Sequence, residues 1–154
     1  MPVAALTLGL WAPPALSCQE VRRSDRAALS GWHASLRQFN AAQGAFSDAI
    51  ADGSARDDVR VARARRALVQ LTSASRSAVR RTTEIGDRRL AGLIAPIGAR
   101  LTRLAGAERA LFDAVAAGDR AAGNEALAAV ERHTVAFLTE SIRAFRRLNA
   151  TYCR

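Results

Sequence analysis

The sequence predicts an all-α protein: an up-down-up-down antiparallel four-helix bundle with an N-terminal leader lying outside it. Three observations carry this. Apolar residues recur at steps of three and four along most of the chain, short Gly-Asp or Gly-Ser turns divide it into four segments of similar length, and strand-like alternation is absent. At 154 residues, 49% hydrophobic and 24% charged, the chain has the size and composition of one globular domain.

Residues 1–17 read as a leader and 18–154 as the bundle, with helices expected at about 20–51, 55–85, 88–117 and 120–149. Val3 to Trp11 is apolar, Pro13 and Pro14 interrupt it, and Ala15 and Ser17 put small residues where a signal peptidase reads. Cleavage after Ser17 leaves Cys18 first. This predicts export to a periplasmic or extracytoplasmic compartment, although no basic residue precedes the apolar stretch and another role stays open. The run is much shorter than the roughly 20 residues that cross a bilayer, so no membrane span is expected.

The first helical segment carries Leu29, Trp32, Leu36, Phe39, Gln43, Phe46 and Ile50, and stops at Asp52-Gly53-Ser54, where Ser54 with Asp57 forms a capping-box-like pair. The second runs through Val61, Ala64, Leu68, Leu71, Ser75, Ala78, Thr82 and Ile85 to Gly86, with Asp87 as the next N-cap. The third continues through Leu90, Ile94, Ile97, Leu101, Leu104, Glu108, Leu111 and Val115 to Gly118-Asp119. Within it Pro96 removes a backbone donor and crowds the carbonyl of Gly92, predicting a bend more readily than a cavity. The fourth uses Leu127, Val130, Thr134, Phe137, Leu138, Ile142, Phe145 and Leu148, which implies a phase shift in its second half.

Helices of about 30 residues are about 45 Å long, and loops of a few residues force antiparallel neighbours. The two cysteines, Cys18 and Cys153, would then share a pole and are expected to form a disulfide, nominally worth about 4 to 5 kcal/mol in the chain-entropy picture. A lipid anchor on Cys18 is the competing fate and excludes the disulfide. Lipoprotein signals usually carry Leu where this chain has Ala15.

All the cationic charge is arginine, and the absence of lysine removes Schiff-base, phosphate-loop and Ser-Lys chemistry. Dividing the expected bundle at mid-height assigns residues 18–35, 71–101 and 137–154 to the cysteine end, with thirteen arginines against five acids. That is a surplus of eight out of the chain's net +9. Arg80, Arg81, Arg143, Arg146 and Arg147 complement helix C-termini. Arg22, Arg23, Arg26, Arg88 and Arg89 lie near helix starts, where cations are slightly unfavourable, and so point to an anionic cell-envelope component or another protein as partner. Nucleic acid is disfavoured because no aromatic residues interleave with the arginines.

The alternative function is a small-ligand, haem or metal carrier with a site inside the bundle near His33 and His133 on adjacent antiparallel helices and Glu108 at a seam position on the third; the plainer reading pairs Glu108 with an arginine such as Arg132 or puts it at the margin of the core. No Glu-x-x-His pair or haem-attachment motif accompanies them, and neither metal nor cofactor is expected. No nucleophile adjoins a histidine and no paired carboxylates suggest acid-base roles, so the expectation is a non-enzymatic protein.

Overall fold

Apolar periodicity, caps and small-residue seams combine into a four-helix bundle, seen in a computed structural model that describes residues 21–52 and 57–152. Helix α1 spans Arg23–Ala51, α2 Asp57–Thr83, α3 Arg88–Ala117 and α4 Arg120–Tyr152. No strand occurs among the described residues. The leader, Cys18, the Ser54 cap and Cys153 lie outside them.

Local chemistry accounts for the helix ends. Asp57 and Asp58 in the first turn of α2, and Arg80 and Arg81 in its last, complement the partial charges of its two ends. The Asp87 carboxylate accepts from the amides of Arg89 at 2.8 Å and Leu90 at 3.1 Å, capping α3. Gly118 then ends α3 at φ 69°, a left-handed backbone that glycine adopts without a Cβ penalty. Asp119 accepts from Ala122 N at 3.0 Å and starts α4.

The buried face of α1 divides into two columns with a seven-residue repeat. Asp25, Trp32, Phe39 and Phe46 form one, and Ala28, Ser35, Ala42 and Ala49 the other. The small column lets α2 approach closely, and α2 answers with Ala64, Ala67, Ala74 and Ala78. Gly31 lies against Arg81 and Ser35 Oγ donates to Ser77 Oγ at 3.0 Å, so residue numbers rise on α1 as they fall on α2. Where α2 meets α3, a Cβ on Gly98 would stand 3.1 Å from Val79 Cγ2.

Backbones of α1 and α4 do not approach in this way among the described residues. Bulky rings fill the space instead, with Trp32 and Phe145 centroids 6.1 Å apart. Leu71, Leu90, Ile94, Ile97, Leu101, Leu104 and Leu148 complete a continuous core. Proline 96 sits on the exposed side of α3, and Gly92, one turn earlier, is exposed with open space beside it.

The second half of α4 buries Phe145 and Leu148 and packs Leu138 against the core, as its spacing predicts. Thr134, Phe137, Ser141, Ala144 and Leu148 keep the three-four rhythm and are all buried, whereas Ile142 is 41% exposed. Val115 of α3 is likewise exposed, and Phe112 is buried in the core. Small residues hold the seam at places where larger ones, one position away, suggested a turn of the face.

Candidate functional site

The end of the molecule where α2 meets α3 is drawn together by two hydrogen bonds from distant parts of the chain. Gly86 N donates to Asp25 Oδ1 at 2.8 Å, which fastens the first turn of α1 to the α2–α3 connection. Tyr152 Oη donates to Asp87 Oδ2 at 2.8 Å and fastens the last turn of α4 to the same connection. Asp25 is 1% exposed and Tyr152 is 7% exposed, so each bond gives a partner to a group cut off from water, with Asp25 Oδ2 left without one among the described residues.

The electrostatics follow from this arrangement. Hydrogen bonds from the Leu90 amide, the Tyr152 hydroxyl and the Arg89 amide, with Arg22 nearby, hold the Asp87 carboxylate below its ordinary range. Burial, reinforced by the bond to Asp87, pushes the Tyr152 hydroxyl up to about 12.

The expected basic residues divide by environment. Arg22, Arg23, Arg80, Arg88, Arg89, Arg146 and Arg147 are exposed. Arg81 is half-buried, packs over Gly31 and pairs with Glu84 at 2.7 Å, which makes it part of the α1–α2 joint. Arg26 is held by its own backbone, with Nε donating to Val21 O at 2.9 Å. Arg143 lies 3.8 Å from Glu140, an exposed pairing of little energetic weight.

His33, His133 and Glu108 do not converge. The His33 ring packs against Trp32 at 5.5 Å and Phe145 at 6.0 Å. Phe145 is twelve residues from His133 along α4, about 18 Å at the helical rise. Burial, aided by the Arg37 charge, lowers the His33 pKa.

Glu108 is 1% exposed, and its Oε1 accepts from Gln43 Nε2 of α1 at 2.9 Å, while Arg132 is exposed. The expected arginine partner is therefore replaced by a neutral amide. The reason lies in the heptad: Glu108 stands in the column of Ile94 and Leu101 and points inward with them. Burial pushes its pKa up to about 7, with the Gln43 bond opposing. No group of three or more His, Cys, Asp or Glu suited to a metal ion occurs among the described residues.

Two features of this region were not singled out from sequence. One is the Asp25, Asp87 and Tyr152 pinning. The other is a cleft of about 210 Å³ lined by Val21, Arg26, Leu29, Ser30, His33 and Arg37. The spacing of Arg26, Ser30, His33 and Arg37 by four, three and four was a legible signal for the second. No helix among the described residues is long and apolar enough to cross a membrane. No family model, curated protein or solved structure matches this chain.

Proposed function

We propose that this is a non-enzymatic, exported helical-bundle protein that binds an anionic surface or partner through its arginine-rich end. The observation that carries the reading is the surplus of arginine at an end whose chain segments are joined by the Asp25–Gly86 and Asp87–Tyr152 hydrogen bonds. A fixed array of exposed guanidinium groups sums its field over several side chains and attracts polyanions over about a Debye length. The apolar stretch before Pro13, with small residues at Ala15 and Ser17, supports the exported setting.

Co-sedimentation of the full chain with phosphatidylcholine vesicles, with and without phosphatidylglycerol, tests the reading. Binding is expected only to the anionic vesicles, and it should weaken steeply as salt rises. Replacing Arg23, Arg88, Arg146 and Arg147 with Gln should remove most of it, at about 1 kcal/mol per residue. Replacing the exposed Arg66, Arg103, Arg120 and Arg132 should remove much less. Equal loss in both variants, or equal binding to neutral vesicles, overturns the proposal.

A further inference from the structure

We propose that the groove between α2 and α3 is a binding site for a free single-chain amphipathic carboxylate, its acyl chain lying on Leu68, Val69 and Phe112 and its head at Arg76. The site goes beyond the reading above and uses none of the arginines that carry it.

The groove's shape follows from the residues of the two helices. At one end Gly98 lets α3 close on α2, and an added Cβ there would stand 3.1 Å from Val79 Cγ2. Because the helices run antiparallel, Phe112, fourteen residues past Gly98, stands level with Arg65, fourteen before Val79. Between these levels α2 presents Thr72 and Ser73, and such small side chains leave about 700 Å³ open. Arg65 and Arg76 are eleven residues apart, about 16 Å along the axis, so they do not converge on one small ion. They mark the two ends of an elongated seat.

The lining sets the chemistry of the occupant. Leu68 and Phe112 are buried in its floor, and Val69 is 66% exposed, more than any other large apolar residue described. The volume falls within the roughly 300 to 1,000 Å³ of small-molecule sites. Arg65, Arg76 and Arg109 surround this apolar strip against a single carboxylate, Asp113, which lies 3.9 Å from Arg109 in an exposed pair of little weight. Arg65 and Arg76 have no hydrogen-bond or ion-pair partner among the described residues. An occupant that complements the groove is therefore apolar along its body and negatively charged.

The head is placed by the end that lacks an acid. Ser73 stands one turn from Arg76 and adds a hydroxyl donor there, whereas the Thr72 hydroxyl is committed to Leu68 O at 2.9 Å. A carboxylate matches the planar guanidinium fork of Arg76, and the chain then runs toward Arg65, whose methylene stem covers apolar surface. Charge disfavours a second copy of this chain as the occupant, since a two-fold axis on the groove sets Arg65 of one copy against Arg76 of the other.

The test is calorimetric titration of the full chain with dodecanoate below its micelle concentration, following the Val69 and Val135 methyl signals by NMR. Saturable binding is expected to move Val69 and leave Val135 of α4, itself 60% exposed, unmoved. Octanoate should bind at least about tenfold more weakly, because each buried methylene contributes about fourfold. Dodecyltrimethylammonium, with the same chain and the opposite charge, should also lose at least about tenfold. Arg76→Gln should weaken dodecanoate binding about tenfold, as loss of one charge-assisted contact implies, and Val69→Asp should do the same by setting a like charge beside the ligand.

Val135→Asp, the same change at a comparably exposed valine, should alter binding less than about twofold. So should the Arg23, Arg88, Arg146 and Arg147 quadruple Gln variant at 0.15 M salt, where charges beyond about 8 Å are largely screened. Circular dichroism checks that the helices remain in each variant. Absence of saturation, equal binding of the cationic amphiphile, equal loss in Val135→Asp, or loss in the quadruple variant overturns the site. A wild-type protein that binds anionic vesicles and not dodecanoate overturns the groove and leaves the basic end standing.

Discussion

A carboxyl group at the position of Glu108 loses its water on folding and receives one hydrogen bond, from Gln43, in return. Its Oε2 has no partner among the described residues, so the ionised form is disfavoured and its pKa rises from 4.5 to about 7. Because the folded-state pKa lies above the unfolded one, this group's stability is fully present below about pH 4.5 and is lost as pH climbs through about 7. The loss is on the order of 3 kcal/mol. Urea denaturation at pH 5 and pH 8 should show it, and Glu108→Gln, which keeps an acceptor for Gln43, should flatten the difference. A second residue-scale expectation concerns Asp87, which caps α3 and accepts from Tyr152. Asp87→Ala should cost about 2 kcal/mol by losing the cap and stranding a buried hydroxyl, whereas Asp87→Asn retains acceptors and costs less. Equal losses in thermal melts would rule out the acceptor role. That Glu108 sits on an inward seam was legible from its spacing. Gln43 as its partner was not, because α1 and α3 are far apart in sequence and only their relative level decides which side chains meet.

Helix pairing depends on side-chain size along each column. Ala28, Ser35, Ala42 and Ala49 keep α1 close to α2, and the aromatic column of α1 faces the wider gap filled with Phe145. Ala42 is 2% exposed, and Ala42→Leu should wedge the two helices apart at a cost of about 1 to 3 kcal/mol, measured by chemical denaturation. An unchanged midpoint would mean that the joint has slack. The four helices and their caps at Asp87, Gly118 and Asp119 were legible because capping and periodicity are local properties. The face of α4 was not fully so. Ser141 and Ala144 contribute little hydrophobic signal although both are buried, and the larger Ile142, which the spacing puts in the core, is 41% exposed.

At the scale of the molecule, net charge is the property that the environment can tune. With +9 overall and most of the surplus near one end, the folded state carries self-repulsion that salt screens within about 10 Å at 0.1 M. The melting temperature should therefore rise on going from low to moderate sodium chloride, and the Arg23, Arg88, Arg146 and Arg147 quadruple Gln variant should show a smaller rise. A salt-independent melting temperature would mean that the arginines are too well solvated to oppose one another.

Composition, helical periodicity and capping residues, all set by a residue and its near neighbours, determined by themselves that this chain makes four helices with buried apolar faces and an uneven charge. Only the tertiary structure decided that Asp25 and Tyr152 pin the α2–α3 connection, that Glu108 is bonded to an amide, and that His33 lies level with Phe145, well away from His133. These outcomes depend on axial register and interhelical distance, which arise from packing all four columns of side chains at once and which no single helix encodes.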